Sequence, residues 1–586
     1  MSWLRTPRAL GAAAGAVAVL GLLWCGWTAW QVNRDLDEAV ARGHAIQAAV
    51  EARDTASLDR ELTALREASA AAADRTSGFT WSVLGRVPVL GDDARGIETT
   101  SRVLADLARD GVEPLVSASD RFEELLPRGG ALDVGVAEEL ADPVARAHRA
   151  FAAADADLTA VDASGFVGRL HRQFTDFRDQ VAEASDALGS AETATRVLPT
   201  MLGAEGPRRY LLVFENNAEI RGTGGLAGAV SYVEAADGRL ELRGHVAASS
   251  LGEAPAPVLP LSGAEQELYG DVLGTYAMNA TMTPDAPRAA ALLKARWERE
   301  FPGQRVDGVV LLDALAIGYL LDATGPVNVD GVQITGANAV DELLHTTYLR
   351  LPEPARQDAF FAEVAAATFA KFTSGLGNPT GVLEALGRAT DERRVLVHAF
   401  DDAVQQELAG TPIAGELATD PESEDAQVAV TLNDMTGAKM SYYLRYDVDV
   451  SATACRGSAQ TYSAKARISS VAPPEAATLP DYITGGGTYG PQPGTQVLAV
   501  RVFGPVGGEV SDLEFNGVAS EAVEVDQDGR PVAMTYVQLT PGQTVDLAWK
   551  MKSGAGQTGD TALAVTPTIE RKDSTRTLPS ACAGGR

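Results

Sequence analysis

The residues best suited to chemistry lie in one stretch, Tyr210-Leu-Leu-Val-Phe-Glu-Asn-Asn-Ala-Glu-Ile-Arg-Gly-Thr-Gly-Gly225, which continues through Leu226 and Ala227 to Gly228. An apolar run, Tyr210 to Phe214, reaches a polar cluster of Glu215, Asn216 and Asn217. Arg221 follows, then glycines at 222, 224, 225 and 228. A strand end with polar tips and a permissive backbone is a common place to build a ligand site. Backbone N–H groups in such a glycine cluster could cradle a phosphate. The spacing is not that of a dinucleotide fingerprint, and Ala229 to Val233 reads as a strand rather than a helix. A tight strand-to-strand connection is therefore the competing reading. Arg221, Arg350 and Arg356 could converge on an anion, because a planar guanidinium makes two parallel charged hydrogen bonds to phosphate. Taken singly, each could equally be a surface charge. His245 and His345 stand alone, and no GxSxG elbow, Walker A sequence or Ser/His/Asp set is present, so no catalytic residue can be named. Asp307, Asp313 and Asp322 flank an apolar run and could bind a cation or cap helices; capping is the simpler reading. There is no CxxC or Cys/His ligand spacing to hold a metal.

These residues need elements to position them. Tyr210 to Phe214 and Ala229 to Val233 read as strands, with an Asp237-Gly238 turn before Leu240 to Leu242. Residues 288–300 read as an amphipathic helix, Val309 to Leu312 as a strand, and Ala314 to Leu321 as a helix closed by the Thr324-Gly-Pro-Val327 turn. Further helices are expected over 338–350 and 356–372. Strands alternating with helices predict an α/β domain over 205–415. An acidic stretch with Asp420, Glu422, Glu424 and Asp425 reads as a linker over 416–426. Beyond it Leu444, Tyr446, Val448 and Val450 alternate with polar residues, as do Val545, Leu547, Trp549 and Met551, which predicts a β-sandwich over 427–586. Upstream, residues 31–204 read as a helical membrane-proximal region: Leu58, Leu62 and Leu65 recur at helical spacing, as do Val103, Leu104 and Leu107. Pro88 and Gly91 break the pattern between Phe79 and Gly91.

The chain has 586 residues, 45% of them hydrophobic, with a formal net charge of −30. Such a surface disfavours nucleic acid, whose phosphates need a basic partner. Ala9 to Trp30 is uncharged and mostly apolar, and is expected to be a transmembrane anchor following a cytoplasmic tail, 1–8. Arg5 and Arg8 precede it, while Asp35, Asp37 and Glu38 follow, which would leave Met1 in the cytoplasm and the bulk of the chain outside the plasma membrane. Trp24, Trp27 and Trp30 suit the outer interface. A cleavable signal peptide is the rival reading. Cys25 falls within the apolar run; Cys455 and Cys582 are the two others. In an oxidising exterior they would pair readily, and two free buried thiols are the alternative.

The motif Glu215 to Gly225, together with Val306-Asp-Gly-Val309 and Thr324-Gly-Pro-Val327, resembles a family of actinobacterial membrane-anchored envelope proteins of unknown function. The Phe79 to Gly91 segment and a Cys455–Cys582 pair also fit it. The central domain is similar in order to the LytR-CpsA-Psr family, which moves glycopolymers from polyprenyl pyrophosphate carriers onto peptidoglycan. Strand Tyr210 to Phe214 leading to Arg221, the pair Asn279-Ala280 before a helix, and Arg350 with Arg356-Gln357 at a helix start match that order. The resemblance implies that Arg221, Arg350 and Arg356 hold a pyrophosphate, with Gln357 orienting it and Asn216 and Asn217 beside it, and that Mg2+ assists transfer. Where that family has a metal-holding aspartate two residues past its first arginine, this chain has Thr223; Glu215 and Glu219 are the acids that could substitute. The implied function is binding of a polyprenyl-pyrophosphate-linked glycan in glycopolymer assembly. A non-catalytic envelope scaffold, or a protein- or glycan-binding module, is the alternative.

Overall fold

The computed structural model describes residues 7–51, 54–87, 90–124, 130–374 and 378–582, with side chains from residue 27 onward apart from a few beside the gaps. The chain forms two compact units: residues 1–125 with 133–199, and residues 126–132 with 200–586. Together they make a multidomain α/β architecture with several sheets.

The first unit is helical. Its long helices are Pro7–Glu51, Thr55–Thr76, Gly91–Asp106, Val134–Thr159 and Gly168–Met201. Local chemistry sets their starts: the Asp54 carboxylate accepts from Ser57 N, and Asp133 accepts from Gly135 N and Val136 N, satisfying amides that a helix start leaves unpaired. Ala39, Ile46, Leu58, Leu62, Leu65, Ala108 and Val116 form one core cluster, and Val103, Leu107, Leu158, Phe166 and Phe174 belong to a second.

The expected transmembrane helix over 9–30 requires correction. The helix through this segment does not end with the apolar run but continues to Glu51, through Arg34, Asp35, Asp37, Glu38 and Arg42. Its described part is amphipathic, burying Val32, Ala39 and Ile46 at seven-residue spacing. Among the described residues no helix is long and apolar enough to cross a membrane. The tail up to Thr6, and the side chains up to Gly26 with the Cys25 thiol, lie outside the described residues.

The second unit is built on a mixed five-stranded sheet of order β3-β2-β1-β4-β7. Its strands are β1 (Arg208–Arg221), β2 (Gly224–Ala236), β3 (Arg239–Ala247), β4 (Gly308–Asp313) and β7 (Val395–Ala399); β5 (Val327–Val329) and β6 (Val332–Ile334) form a separate small hairpin. β1 is central, antiparallel to β2 and parallel to β4. β1 runs on through the polar residues 215–221, past the end its apolar run predicts, paired with β2 alone beyond Glu215. Bulges fall between Phe214 and Glu215 and between Asn216 and Ile220, which re-aims the side chains there. The helix Ala314–Thr324 starts directly at the end of β4, where the Asp313 carboxylate accepts from Ala316 N.

Two further sheets follow in the same unit. One has the order β13-β12-β16-β10-β9 and the other β14-β15-β11-β8-β17-β18. The first comprises β9 (Leu444–Arg456), β10 (Ala459–Ser470), β12 (Glu509–Phe515), β13 (Val518–Ala519) and β16 (Thr544–Lys552). The second comprises β8 (Ala426–Asp434), β11 (Gln496–Phe503), β14 (Val523–Gln527), β15 (Arg530–Leu539), β17 (Thr561–Val565) and β18 (Thr575–Leu578). Tyr446, Val448, Tyr462, Ile468 and Trp549 from the first sheet and Val430, Leu498, Val500 and Leu563 from the second share one buried cluster, so the sheets pack face to face. The acidic stretch before β8 is fastened rather than loose: Leu417 N donates to Asp285, and Arg530 donates to Ala418 O.

Candidate functional site

The bulged middle of β1 opens onto a cavity of about 120 Å3. Phe214 and Leu226 of the sheet, Ile317 of the helix Ala314–Thr324, Leu343 and Leu344, and Phe361 of the helix Pro354–Thr373 form most of its apolar wall. Leu343 and Leu344 sit in a π-helical turn, Glu342–Thr346, a local widening often found at functional sites. Polar groups gather where Glu215, Asn216, Tyr348, Asp358, Lys439 and Tyr482 reach the same cavity. An apolar pocket with a few convergent polar groups is the usual form of a small-molecule site.

Each polar group has a defined state. Glu215 is buried and accepts from the Thr223 hydroxyl at 2.5 Å. Burial raises its pKa to about 8, with the Thr223 hydrogen bond opposing and the nearby Asp313 charge adding. It therefore stands mainly as a neutral acid at pH 7. Asn216 donates to the Tyr348 hydroxyl at 2.5 Å, and its carbonyl accepts from Ala218 N at 3.0 Å. Lys439 is buried and donates to Glu219 at 2.5 Å. Burial alone would lower the lysine pKa, but the Glu219 charge outweighs it and the net shift is upward. Burial likewise pushes Glu219 up, and Lys439 and Arg221 together bring it below its ordinary value. Lys439 is thus a fixed cation at the polar end of the cavity, with its ammonium 5.1 Å from the Tyr482 ring centre.

The residues singled out by sequence are dispersed. Arg221 is buried, donating to Glu219 at 2.8 Å and to Asp434 O at 3.0 Å, and does not line the cavity. Arg350 pairs with Glu342 at 2.9 Å and lies over the Phe360 ring. Arg356 is exposed in the first turn of the helix Pro354–Thr373. Gln357 is buried, donating to Leu351 O at 2.7 Å. Arg350, Arg356 and Gln357 share one helix corner, and Arg221 is held elsewhere by its own partners. Asn216 reaches the cavity, whereas Asn217 donates to Asp313 at 3.0 Å inside a buried network. In that network Asp313 pairs with Arg394 at 2.9 Å, and Arg394 also bonds Glu392. Asp313 caps a helix, as the simpler reading had it. His245 faces Ser231 Oγ at 2.8 Å and His345 stacks on Tyr442. Cys455 and Cys582 form a disulfide.

The glycines serve packing. A Cβ on Gly222 would lie 2.4 Å from Met282 O, and one on Gly225 would lie 2.4 Å from the Asn216 carbonyl carbon. Gly222 N donates to Asn433 Oδ1 at 3.3 Å. This is the tight strand-to-strand connection, not an open phosphate cradle.

The donor set does not fit Mg2+. Thr223 offers only a neutral hydroxyl, and Glu219 is already held by two cations. Glu215 is left as a neutral acid, and no group of three His, Cys, Asp or Glu suited to a metal occurs among the described residues.

Sequence reasoning missed Lys439, Tyr348, Tyr482 and Phe361. They come from four later segments that no spacing rule ties to β1; only the fold brings them to the cavity.

Fold and site together define an α/β domain with an apolar cavity beside the middle of β1 and a buried lysine at its polar side. Residues 205–348 match the model of a family described as a protein of unknown function (DUF4012). That segment is thus a domain of unknown function, and Phe361, Lys439 and Tyr482 complete the cavity from outside it. No curated protein and no solved structure matches the chain.

Proposed function

We propose that the α/β half binds an amphiphile with an apolar chain and an anionic head, of the chemistry of a polyprenyl phosphate or pyrophosphate carrying a glycan, outside the cytoplasm. The observation that carries this is the cavity itself: apolar walls lead to Lys439, with Asn216 beside it and Glu215 uncharged. Lys439 gives Glu219 one hydrogen bond and has further N–H donors for a phosphate oxygen. Neutral Glu215 spares an anionic head the repulsion that its carboxylate would impose, and burial pushes Asp358, the other acid on the lining, toward its neutral form as well. The disulfide supports an oxidising compartment. Binding, not transfer, is the reading: Thr223 stands where metal-assisted transfer would need an acid, and Arg221 is consumed by Glu219 and Asp434.

The test is binding of a polyprenyl phosphate in detergent micelles to the full chain. Saturable binding is expected, weakened about tenfold or more by Ile317→Trp, which fills the cavity. Arg356→Ala, at an exposed position, should leave it unchanged. Absence of binding to the folded chain, or equal affinity in the cavity-filled variant, would overturn the proposal.

A further inference from the structure

The polar end of the cavity is bordered by a loop with three successive left-handed glycines. Gly485, Gly486 and Gly487 have φ of 77°, 57° and 74° in succession, a left-handed run that side chains resist. The loop is fastened to the segment that carries Lys439: Lys439 N donates to Ile483 O at 2.8 Å, and a Cβ on Gly485 would lie 2.7 Å from Thr436 O. Tyr482, at one end of the loop, lines the cavity and is 42% exposed. Tyr489, at the other end, is 68% exposed, and its ring lies so close over Gly437 that a Cβ there would be 2.7 Å away. One short segment, 436–439, therefore presents the buried cation inward and seats two solvent-facing aromatic rings beside it.

Two tyrosine rings held on one short segment by backbone packing offer what a sugar needs: a flat face for its C–H groups and a hydroxyl for its oxygens. In a lipid-linked saccharide the first sugar follows directly on the phosphate. With the phosphate at Lys439, that sugar would meet Tyr482, whose ring centre is 5.1 Å from the ammonium, and next to it Tyr489, seated over Gly437. We infer that the glycine-backed loop carrying Tyr482 and Tyr489 is a saccharide subsite, reading the sugar attached to a lipid phosphate whose chain occupies the cavity. This rests on the amphiphile reading above.

The experiment compares two probes on the full chain, a bare polyprenyl phosphate and the same lipid carrying one glucose on its phosphate. The glycosylated lipid is expected to bind about tenfold more tightly. Tyr489→Ala should remove that preference and leave affinity for the bare lipid unchanged, whereas Tyr489→Phe, which keeps the ring, should retain most of it. Equal affinity of the two lipids for the wild type overturns the subsite while leaving the amphiphile site standing. So does an equal loss for both lipids in Tyr489→Ala, which would make the loop merely structural. Binding of neither lipid overturns the amphiphile reading and the subsite with it.

Discussion

At the scale of single residues, Glu215 is the most informative group. Its folded pKa of about 8 lies above the ordinary carboxyl value of 4.5, with burial as the main cause. A carboxyl whose pKa is raised by folding stabilises the fold fully below its unfolded pKa, and that contribution is lost as pH rises through the folded value. The chain should therefore lose stability between about pH 4.5 and 8. Buried Asp285 and Asp434, each raised to about 6, act in the same direction. Glu215→Gln isolates one contribution, because the amide keeps the neutral shape and the Thr223 hydroxyl can turn toward Thr281 O, 3.4 Å away. Thermal melts of the two proteins should nearly coincide at about pH 5 and separate by several degrees at about pH 8, the variant being the more stable. Parallel curves would refute the neutral-acid assignment.

At the scale of elements, the site depends on how β1 and β2 meet. Gly225 packs so closely on the Asn216–Asn217 peptide that any Cβ must displace it. Gly225→Ala is expected to cost about 1–3 kcal/mol in chemical denaturation. It should also weaken amphiphile binding, since Asn216 and Glu215 ride on that bulged strand. Unchanged stability would mean that the strands separate more readily than their pairing implies. Much at this scale was legible in sequence. The apolar run Tyr210 to Phe214 is a strand because its residues are buried between two neighbours, and Asp313 is a cap because it follows a strand and precedes Ala314. The dispersal of the arginines was not legible. Arginine is read as a phosphate ligand by type alone, and Arg221 found its partners in Glu219 and the Asp434 carbonyl, more than two hundred residues further along the chain.

At the scale of the whole molecule, long-range ties make one body of the second unit. Lys439 meets Glu219, and Arg394 bonds Asp313 and the Thr568 carbonyl. The disulfide closes a loop of sequence separation 127 and holds Cys582 beside β9. Replacing both cysteines by serine should cost about 2–5 kcal/mol, read as a lower midpoint in urea. An unchanged midpoint would show that the C-terminal end contributes little to the fold.

What the sequence determined by itself is the local order: helices first, then a strand-rich α/β segment, then alternating strands, because hydrophobic period and glycine placement act over short distances. It also singled out the polar stretch of β1, of which Glu215 and Asn216 line the cavity. It read the first helix as a membrane span, whereas that helix runs on through charged residues to Glu51 and no helix among the described residues is long and apolar enough to cross a membrane. The tertiary structure alone decided which polar groups share the cavity. Lys439 and Tyr482 reach Asn216 only after the later sheets dock on the first, and Glu215 becomes a neutral acid only once that docking removes it from water.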